Sequence, residues 1–306
     1  MFDIKSFYEA KSVRDAVDAL VKDENAEIIS GGTDVLIRVR EGRDAGRSLI
    51  SIHNIPELKG VEMKADGTIV IKAATSFSHL TNHEIIKKHL NMLGEAVDQV
   101  GGPQVRNTAT LGGNICNGAT SADSASTMCT LNAMAVLEGE HGVRRVPVCE
   151  FYTGPGKTVR ERTEVCTAFE IPRSEYEGWG GKYYKYGKRK AMEIATLGCA
   201  VRVKLSEDKK RIEDIRLGYG VAAPTPIRCR EAEKAVRGMA ASDPAIYEVL
   251  VSKALQEVKP RSSWRASKEF RLQLIAELAR RALYDSIRLA GGEVVHWEEN
   301  EMEAEK

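Results

Sequence analysis

Residues 101–123 read GGPQVRNTATLGGNICNGATSAD, and the fold turns on how that stretch is read. It holds five glycines, three asparagines and four threonines or serines, with one proline, one arginine and one aspartate. Such a run is too polar for a core and too rich in glycine for a plain surface turn. Gly112-Gly113-Asn114 offers backbone freedom at positive φ and room for another group to approach the chain closely. Consecutive N–H groups in a glycine loop form an anion-binding concavity. Thr108, Thr110, Asn114, Thr120, Ser121 and Asp123 add donors and acceptors suited to hydroxyls or phosphate. The stretch is therefore expected to bind a phosphorylated, polyhydroxylated cofactor. The competing reading is a long polar connector, and ordered connectors of that length are uncommon unless they serve a function.

A second loop supports the first. Residues 27–30, Glu-Ile-Ile-Ser, suggest a short strand, and Gly31-Gly32-Thr33-Asp34 follows at once. Alone this is a weak signal. Two paired-glycine loops flanked by Thr and Asp or Asn could grip a diphosphate from two sides.

Size and charge narrow the classes. The 306 residues suffice for one large or two ordinary domains with real cores. With 45 basic and 44 acidic residues the net charge is +1, so there is no general electrostatic footprint for nucleic acid. No apolar run approaches a membrane span, and the N-terminus MFDIKSFYEAKSVRD lacks the layout of a signal peptide. A cytoplasmic protein is the expectation. The six cysteines, 116, 129, 149, 166, 199 and 229, contain no CxxC. That spacing argues against zinc knuckles, a local iron–sulfur motif or a thioredoxin-type site. Free thiols are the expected state, and Cys116 lies inside the binding stretch, where a redox role stays open.

In chain order, Ser12 can cap a helix whose apolar positions Val13, Ala16, Val17 and Leu20 recur at helical spacing, with Asp15 placed for a capping box. Strands are expected at 49–52, 68–73, 133–138, 145–148 and 165–171, and residues 36–39 are too short to assign. A helix starts at Ser78 and runs towards His89, the next has Met92, Leu93, Ala96, Val97 and Val100 on its apolar face, and a short one covers 125–131. Residues 174–181, SEYEGWGG, mark the domain boundary. Beyond it come paired strands at 199–205 and 212–221, then helices near 231–237, 245–257 and 266–289. The last carries Phe270, Leu274, Leu278 and Ala282 on one stripe and ends at Gly291-Gly292.

Two tempting motifs fail on spacing. Gly154-Pro-Gly-Lys157-Thr158 suggests a P-loop, but the required leading glycine is Phe151, so an ordinary turn is expected. No GxGxxG follows a strand, which disfavours a Rossmann site. His79 and His83 stand at i, i+4 without HExxH or a third ligand, and a solvated helix face is the better reading. Among Lys182, Lys185, Lys188, Arg189 and Lys190, the interleaved Tyr183, Tyr184 and Tyr186 imply alternation with one set facing inwards. A cation beside a flavin can stabilise charge that develops on reduction, and Lys185 is the candidate, though the sequence alone does not choose it over Lys182 or Lys188.

With these motifs in hand, the chain resembles the FAD-binding subunits of bacterial xanthine dehydrogenases, members of the molybdenum hydroxylase flavoproteins. The likeness runs from Met1 to about Gly292. It rests on AEIISGGTDVLI, GGPQVRNTATLGGNICNGATSADSA, FYTGPGKT, VAAPTPIRC and PRSSWRASKEFRL. The resemblance implies an α+β fold like that of the vanillyl-alcohol-oxidase (PCMH-type) flavoproteins. Two subdomains (1–176) would hold FAD, a smaller C-terminal α/β domain (177–292) would carry a three-stranded antiparallel sheet and helices, and 293–306 would be an acidic tail. By match to the family's motifs, Glu27, Ile28, Ile29, Ser30, Gly31, Gly32, Thr33, Asp34 and Val35 would form the first pyrophosphate loop. Ala109, Thr110, Gly112, Gly113 and Asn114 would form the second, with Asp123 reaching the flavin's sugar-like chain. Val165, or its neighbour Cys166, would sit near the ring face, and Lys185 near the ring's polar edge with Tyr184 beside it. No histidine lies between residues 1 and 40, so the FAD is expected to be non-covalent. No metal site and no iron–sulfur insertion are expected.

The implied function is electron transfer. A molybdenum-binding subunit carrying molybdopterin would oxidise hypoxanthine to xanthine and xanthine to urate. An iron–sulfur subunit with 2Fe–2S clusters would pass electrons singly, and FAD here would collect two and deliver hydride to NAD⁺. No side chain of this chain need act as acid or base, and neither nucleic acid nor membrane is an expected partner. The nearest rival is a flavoprotein subunit of a related hydroxylase for another heterocycle, an aldehyde or carbon monoxide. A non-redox scaffold would be colourless.

Overall fold

The computed structural model describes residues 2–297. The chain opens with β1 (Ile4–Glu9), α1 (Val13–Lys22), β2 (Ala26–Ile29), α2 (Val35–Arg40) and β3 (Arg47–Ser51). These strands form a parallel sheet in the order β1-β3-β2. The Ser12 cap forms as expected, its hydroxyl accepting from the Asp15 N–H, and Val13, Ala16, Val17 and Leu20 are all buried. The strand β1 has no expectation in the sequence because it is exposed on almost every residue and shows no alternation.

The second unit runs from β4 (Val61–Met63) and β5 (Ile69–Lys72) through six helices. These are α3 (Phe77–Asn82), α4 (Glu84–His89), α5 (Asn91–Asp98), α6 (Pro103–Thr108), α7 (Leu111–Cys116) and α8 (Asp123–Thr130). The chain then returns as β6 (Met134–Gly139), β7 (Gly142–Pro147), the short hairpin β8 (Tyr152–Gly154) and β9 (Lys157–Thr158), and β10 (Val165–Ile171). The antiparallel sheet has the order β4-β5-β10-β6-β7. Where one helix towards His89 was expected there are two, because Ser76 caps the first and the His83 side chain accepts from the Ile85 N–H to start the second. The decisive stretch is no open loop either: α6 and α7 occupy most of it.

The third unit has β11 (Trp179–Tyr186), β12 (Leu197–Leu205), β13 (Ile212–Gly220) and β14 (Ile227–Arg228), followed by α9 (Arg230–Val236), α10 (Ala245–Glu257) and α11 (Lys268–Leu289). Its sheet is the expected three antiparallel strands extended by the two-residue β14. On α11 the stripe is corrected at its start. Phe270 is exposed and Arg271 is buried in its place, because a strict i, i+4 row drifts around a 3.6-residue helix. The buried Arg271 guanidinium donates to the carbonyl of Thr196 and to the Ser263 hydroxyl, both at 2.8 Å.

Three apolar cores, one per unit, hold the α+β architecture: one under α1, one between the antiparallel sheet and α3–α8, and one between the third sheet and α9–α11. From residue 298 the acidic tail lies outside the described residues.

Candidate functional site

A cavity of about 1100 Å³ opens where the first two units meet the third. That is slightly above the usual range for small-molecule sites, about 300–1,000 Å³, and suits a large ligand. The two glycine loops share one wall of it. A Cβ on Gly31 would stand 1.9 Å from the Thr108 carbonyl oxygen, so only glycine lets the first loop lie against the second. Thr110 Oγ1 donates to Ser30 Oγ at 3.4 Å, and Arg38 Nη1 donates to Asn117 Oδ1 at 2.8 Å across the same seam.

The loops differ in what they offer a ligand. Among the described residues the N–H groups of Gly31, Gly32 and Thr33 meet no protein acceptor, and Gly32 holds φ at +72°, so β2 runs out into a row of unused donors. In the second loop the glycine donors are already committed. The Gly112 N–H donates to Ala73 O at 2.8 Å and the Gly113 N–H to Thr110 Oγ1 at 3.1 Å. Neither glycine has positive φ. Their value is close approach, since a Cβ on Gly112 would lie 2.8 Å from Ala73 O. The paired glycines at 112–113 thus bring α7 onto the end of β5 and leave the first loop to supply free N–H groups.

Of the expected residues, Glu27, Ile28, Ser30, Gly31, Gly32, Thr33, Asp34, Val35, Ala109, Thr110, Gly112, Gly113, Asn114 and Asp123 line the cavity. Ile29 turns away and is buried. Burial pushes the Asp34 carboxyl up against the opposing pull of Arg38. Asp123 is buried at the start of α8, where it accepts from Tyr183 Oη at 2.6 Å and from Lys185 Nζ at 2.8 Å. Lys185 also donates to Gln99 O at 2.8 Å. Burial raises the Asp123 carboxyl, with Lys185 and Tyr183 working the other way.

Three expected positions stand off the cavity lining: Lys185, which reaches it only through Asp123, and Tyr184 and Val165. Tyr184 does not stand beside the cavity: its hydroxyl donates to Asp285 on α11 at 2.5 Å. Strand alternation puts Tyr183 and Lys185 on one face of β11 and Tyr184 on the other. Val165 is fully buried under α1, and its neighbour Cys166 lines the cavity instead. The cause is a bulge in β10: Cys166 pairs with Leu137 and Ala168 with Val136, leaving Thr167 unpaired. The bulge reverses the alternation that Phe169 and Ile171 would otherwise impose on Val165.

The sequence reading passed over several lining groups. Thr153, Pro155, Gly156, Lys157 and Thr158 come from the hairpin read as an ordinary turn, and Arg160 follows it. It is not a phosphate cradle of the P-loop kind, yet it closes one side of the cavity through Gly156 N–H to Gly118 O at 2.9 Å. Met192, Glu193 and Ile194 of the third unit also line it. His79 stands exposed and His83 half-buried on their helix pair, and no metal-holding group of three or more such side chains occurs among the described residues. Nor is any helix among the described residues long and apolar enough to cross a membrane.

Comparison with known proteins agrees with this geometry. Residues 2–174 match the FAD binding domain in molybdopterin dehydrogenase, and residues 182–286 match the CO dehydrogenase flavoprotein C-terminal domain. The chain is 42% identical to the xanthine dehydrogenase FAD-binding subunit of Escherichia coli O157:H7, over 96% of this chain and 100% of that one. It is 31% identical to the nicotinate dehydrogenase FAD-subunit of Eubacterium barkeri, over 76% of this chain and 79% of that one. In the solved carbon monoxide dehydrogenase of Hydrogenophaga pseudoflava, one chain superposes with a TM-score of 0.88 at 29% identity, covering 94% of this chain and 98% of that chain. The chain belongs to the FAD-binding subunits of the molybdopterin dehydrogenases, the flavoprotein oxidoreductase subunits of the molybdenum hydroxylase family.

Proposed function

We propose that the chain is the electron-transfer subunit of a xanthine dehydrogenase, holding FAD non-covalently and passing electrons from an iron–sulfur subunit to NAD⁺. The observation that carries the reading is the meeting of the two loops on one cavity wall, where the N–H groups of Gly31, Gly32 and Thr33 have no protein acceptor among the described residues. The donor set fits a diphosphate, and the cavity's size fits a dinucleotide. The choice of xanthine rests on the relative matched along the whole chain.

When bound, FAD would supply the exchange between single electrons and hydride pairs. The chain's own residues position and tune. Gly31, Gly32 and Thr33 bind the diphosphate through backbone donors, and Gly112 keeps α7 close enough to complete that wall. Asp123, lining the cavity, is available to ribityl hydroxyls and is itself fixed by Tyr183 and Lys185. Lys185, ion-paired with Asp123 behind the cavity wall, would favour any negative charge that develops in the cavity on reduction. No acid or base step is assigned to a side chain. Molybdopterin and 2Fe–2S clusters belong in this reading to separate partner subunits.

The test is purification of the chain with its co-purifying subunits, followed by the visible spectrum and by NADH formation on addition of hypoxanthine or xanthine with NAD⁺. A yellow complex that forms NADH is expected. A colourless chain that takes up no added FAD would overturn the flavin reading. Yellow protein active only on nicotinate, an aldehyde or carbon monoxide would overturn the choice of xanthine.

A further inference from the structure

A carboxylate is a poor neighbour for a diphosphate, yet Glu27 lines the large cavity, four residues before Gly31 on β2. One of its oxygens, Oε2, accepts from Arg47 Nη1 at 3.3 Å. The other, Oε1, faces Arg160 Nη2 at 3.9 Å, within ion-pair range and beyond hydrogen-bond range. Arg160 lines the cavity as well, and its guanidinium is anchored through Nη1, which donates to Glu164 O at 2.7 Å and to Glu161 O at 3.2 Å. Among the described residues, Glu27 Oε1 therefore has no donor and Arg160 Nη2 no acceptor within hydrogen-bond reach. The two side chains are 24% and 17% exposed, so water does little to screen whatever they meet.

We propose that this pair seats the ribose of the dinucleotide's adenosine half, with Glu27 Oε1 accepting from a ribose hydroxyl whose oxygen accepts in turn from Arg160 Nη2. At 3.9 Å the two charged groups leave each other unsatisfied. A hydroxyl about 2.8 Å from each reaches both, and it alone is donor and acceptor through one atom. A phosphate oxygen could take the arginine but would be repelled by the carboxylate. Arg47 holds one side chain and the two backbone carbonyls hold the other, so little rotamer freedom is lost when a ligand binds. The pair comes from the first two units alone, on β2 and in the segment that enters β10, whereas the Asp123 carboxylate is held by the third. A dinucleotide would thus meet one carboxylate with each polyhydroxylated half, ribose at Glu27 and ribityl at Asp123. The assignment rests on the FAD reading above.

The experiment compares ADP with 2′,3′-dideoxy-ADP on the full chain freed of cofactor, by calorimetry, with FAD binding followed separately by quenched flavin fluorescence. Loss of the two hydroxyls should weaken binding about tenfold or more, the effect of one charge-assisted hydrogen bond left unmade. This comparison needs no variant. Glu27→Gln should weaken ADP to a similar degree and leave dideoxy-ADP within twofold, because the contact it alters is missing there, and thermal unfolding without ligand checks that its fold is intact. Equal affinities for the two nucleotides, a Glu27→Gln loss shared by both, or no binding of ADP would each overturn the proposal. Inosine diphosphate weakened while the dideoxy nucleotide is unaffected would move the pair to the base's amino group and overturn the ribose assignment. A chain that prefers ADP to its dideoxy form but shows no quenching of FAD would sink the FAD reading while the ribose contact stands. Quenching of FAD with equal nucleotide affinities would do the reverse.

Discussion

Gly31→Ala is the sharpest test of the seam between the two loops. The added methyl carbon would stand 1.9 Å from the Thr108 carbonyl oxygen and 2.5 Å from its carbon, where ordinary contact begins at 3.4 Å. Both partners are backbone, so no side chain can rotate aside. The loops must separate by about 1.5 Å along that line, the difference of those two distances. Such a shift breaks the Thr110–Ser30 hydroxyl contact, already 3.4 Å long, and turns the free N–H groups of the first loop off their common target. Overpacking of a close-fitted site costs about 1–3 kcal/mol. With about 1.4 kcal/mol per tenfold in binding, the FAD dissociation constant should rise about five- to hundredfold. The assay is titration of the apo chain with FAD by fluorescence quenching, alongside thermal unfolding without FAD to separate lost affinity from lost fold. Gly154→Ala serves as control, because its Cβ would meet nothing nearer than Lys157 Cδ at 4.0 Å. A Gly31→Ala chain that binds FAD within twofold of the parent would refute the argument that this seam shapes the site.

Other outcomes follow from the buried groups. Lys185→Ala leaves the Asp123 carboxylate buried without its cation, so flavin potential and NAD⁺ reduction rate both fall. Adding Asp123→Asn restores part of the lost thermal stability, since the uncompensated charge is then gone, and strictly additive losses would refute the pairing. Tyr183→Phe removes the 2.6 Å bond to Asp123 and weakens FAD binding about tenfold, whereas Tyr184→Phe, on the opposite strand face, leaves affinity unchanged. Equal effects would contradict the assignment of faces. Glu170 on β10 is held down to about 2 by Arg145 and Lys64. A lowered carboxyl contributes stability that is complete above its ordinary value of 4.5 and is lost as pH falls towards about 2. Glu170→Gln should therefore flatten the acid limb of a stability–pH profile by about 1 kcal/mol after allowance for solvent screening, read by urea unfolding at pH 3 and pH 6.

The sequence carried most of the fold because the helices and strands that matter have clear periods. α1 is legible from its cap and four apolar positions, and β10 from an apolar run closed by Pro172. What stayed hidden depends on contacts distant in sequence. β1 is an edge strand paired in the sheet with its parallel neighbour β3 and is exposed on almost every residue, so its own residues show no pattern. The choice between Val165 and Cys166 hangs on one unpaired residue, Thr167, and bulges leave no mark in composition. The hairpin at 152–158 was legible as a turn, but its place on the cavity comes from Gly156 meeting Gly118, which no spacing rule foretells. The glycine pairs were legible as special yet ambiguous between two uses. At 31–32 the chain uses both close approach and positive φ, and at 112–113 only close approach. The sequence left Lys182, Lys185 and Lys188 open; choosing Lys185, with Tyr183 beside it, required seeing Asp123 between them.

The helix that begins with Asp123 explains why the third unit matters to a cavity built mainly by the first two. α8 is gripped at both ends by the third sheet. At its start, Tyr183 and Lys185 of β11 hold the Asp123 carboxylate. At its end, Arg202 of β12 and Arg216 of β13 donate to the Thr130 carbonyl at 3.2 and 3.4 Å, beneath the ring of Trp179. Negative charge at the N-terminus and positive charge at the C-terminus both suit the helix dipole. Within the helix and just before it the backbones nearly touch: a Cβ on Gly218 would lie 3.0 Å from Ser126 O, and one on Gly220 3.2 Å from Thr120 O, ahead of the helix start. Desolvation draws Arg202 down to about 9, a cost the sheet carries to cap this one helix. The cavity's only buried carboxylate among its described lining residues is thus held by side chains of the third unit, so disturbing the packing of that unit against α8 would disturb Asp123 as well.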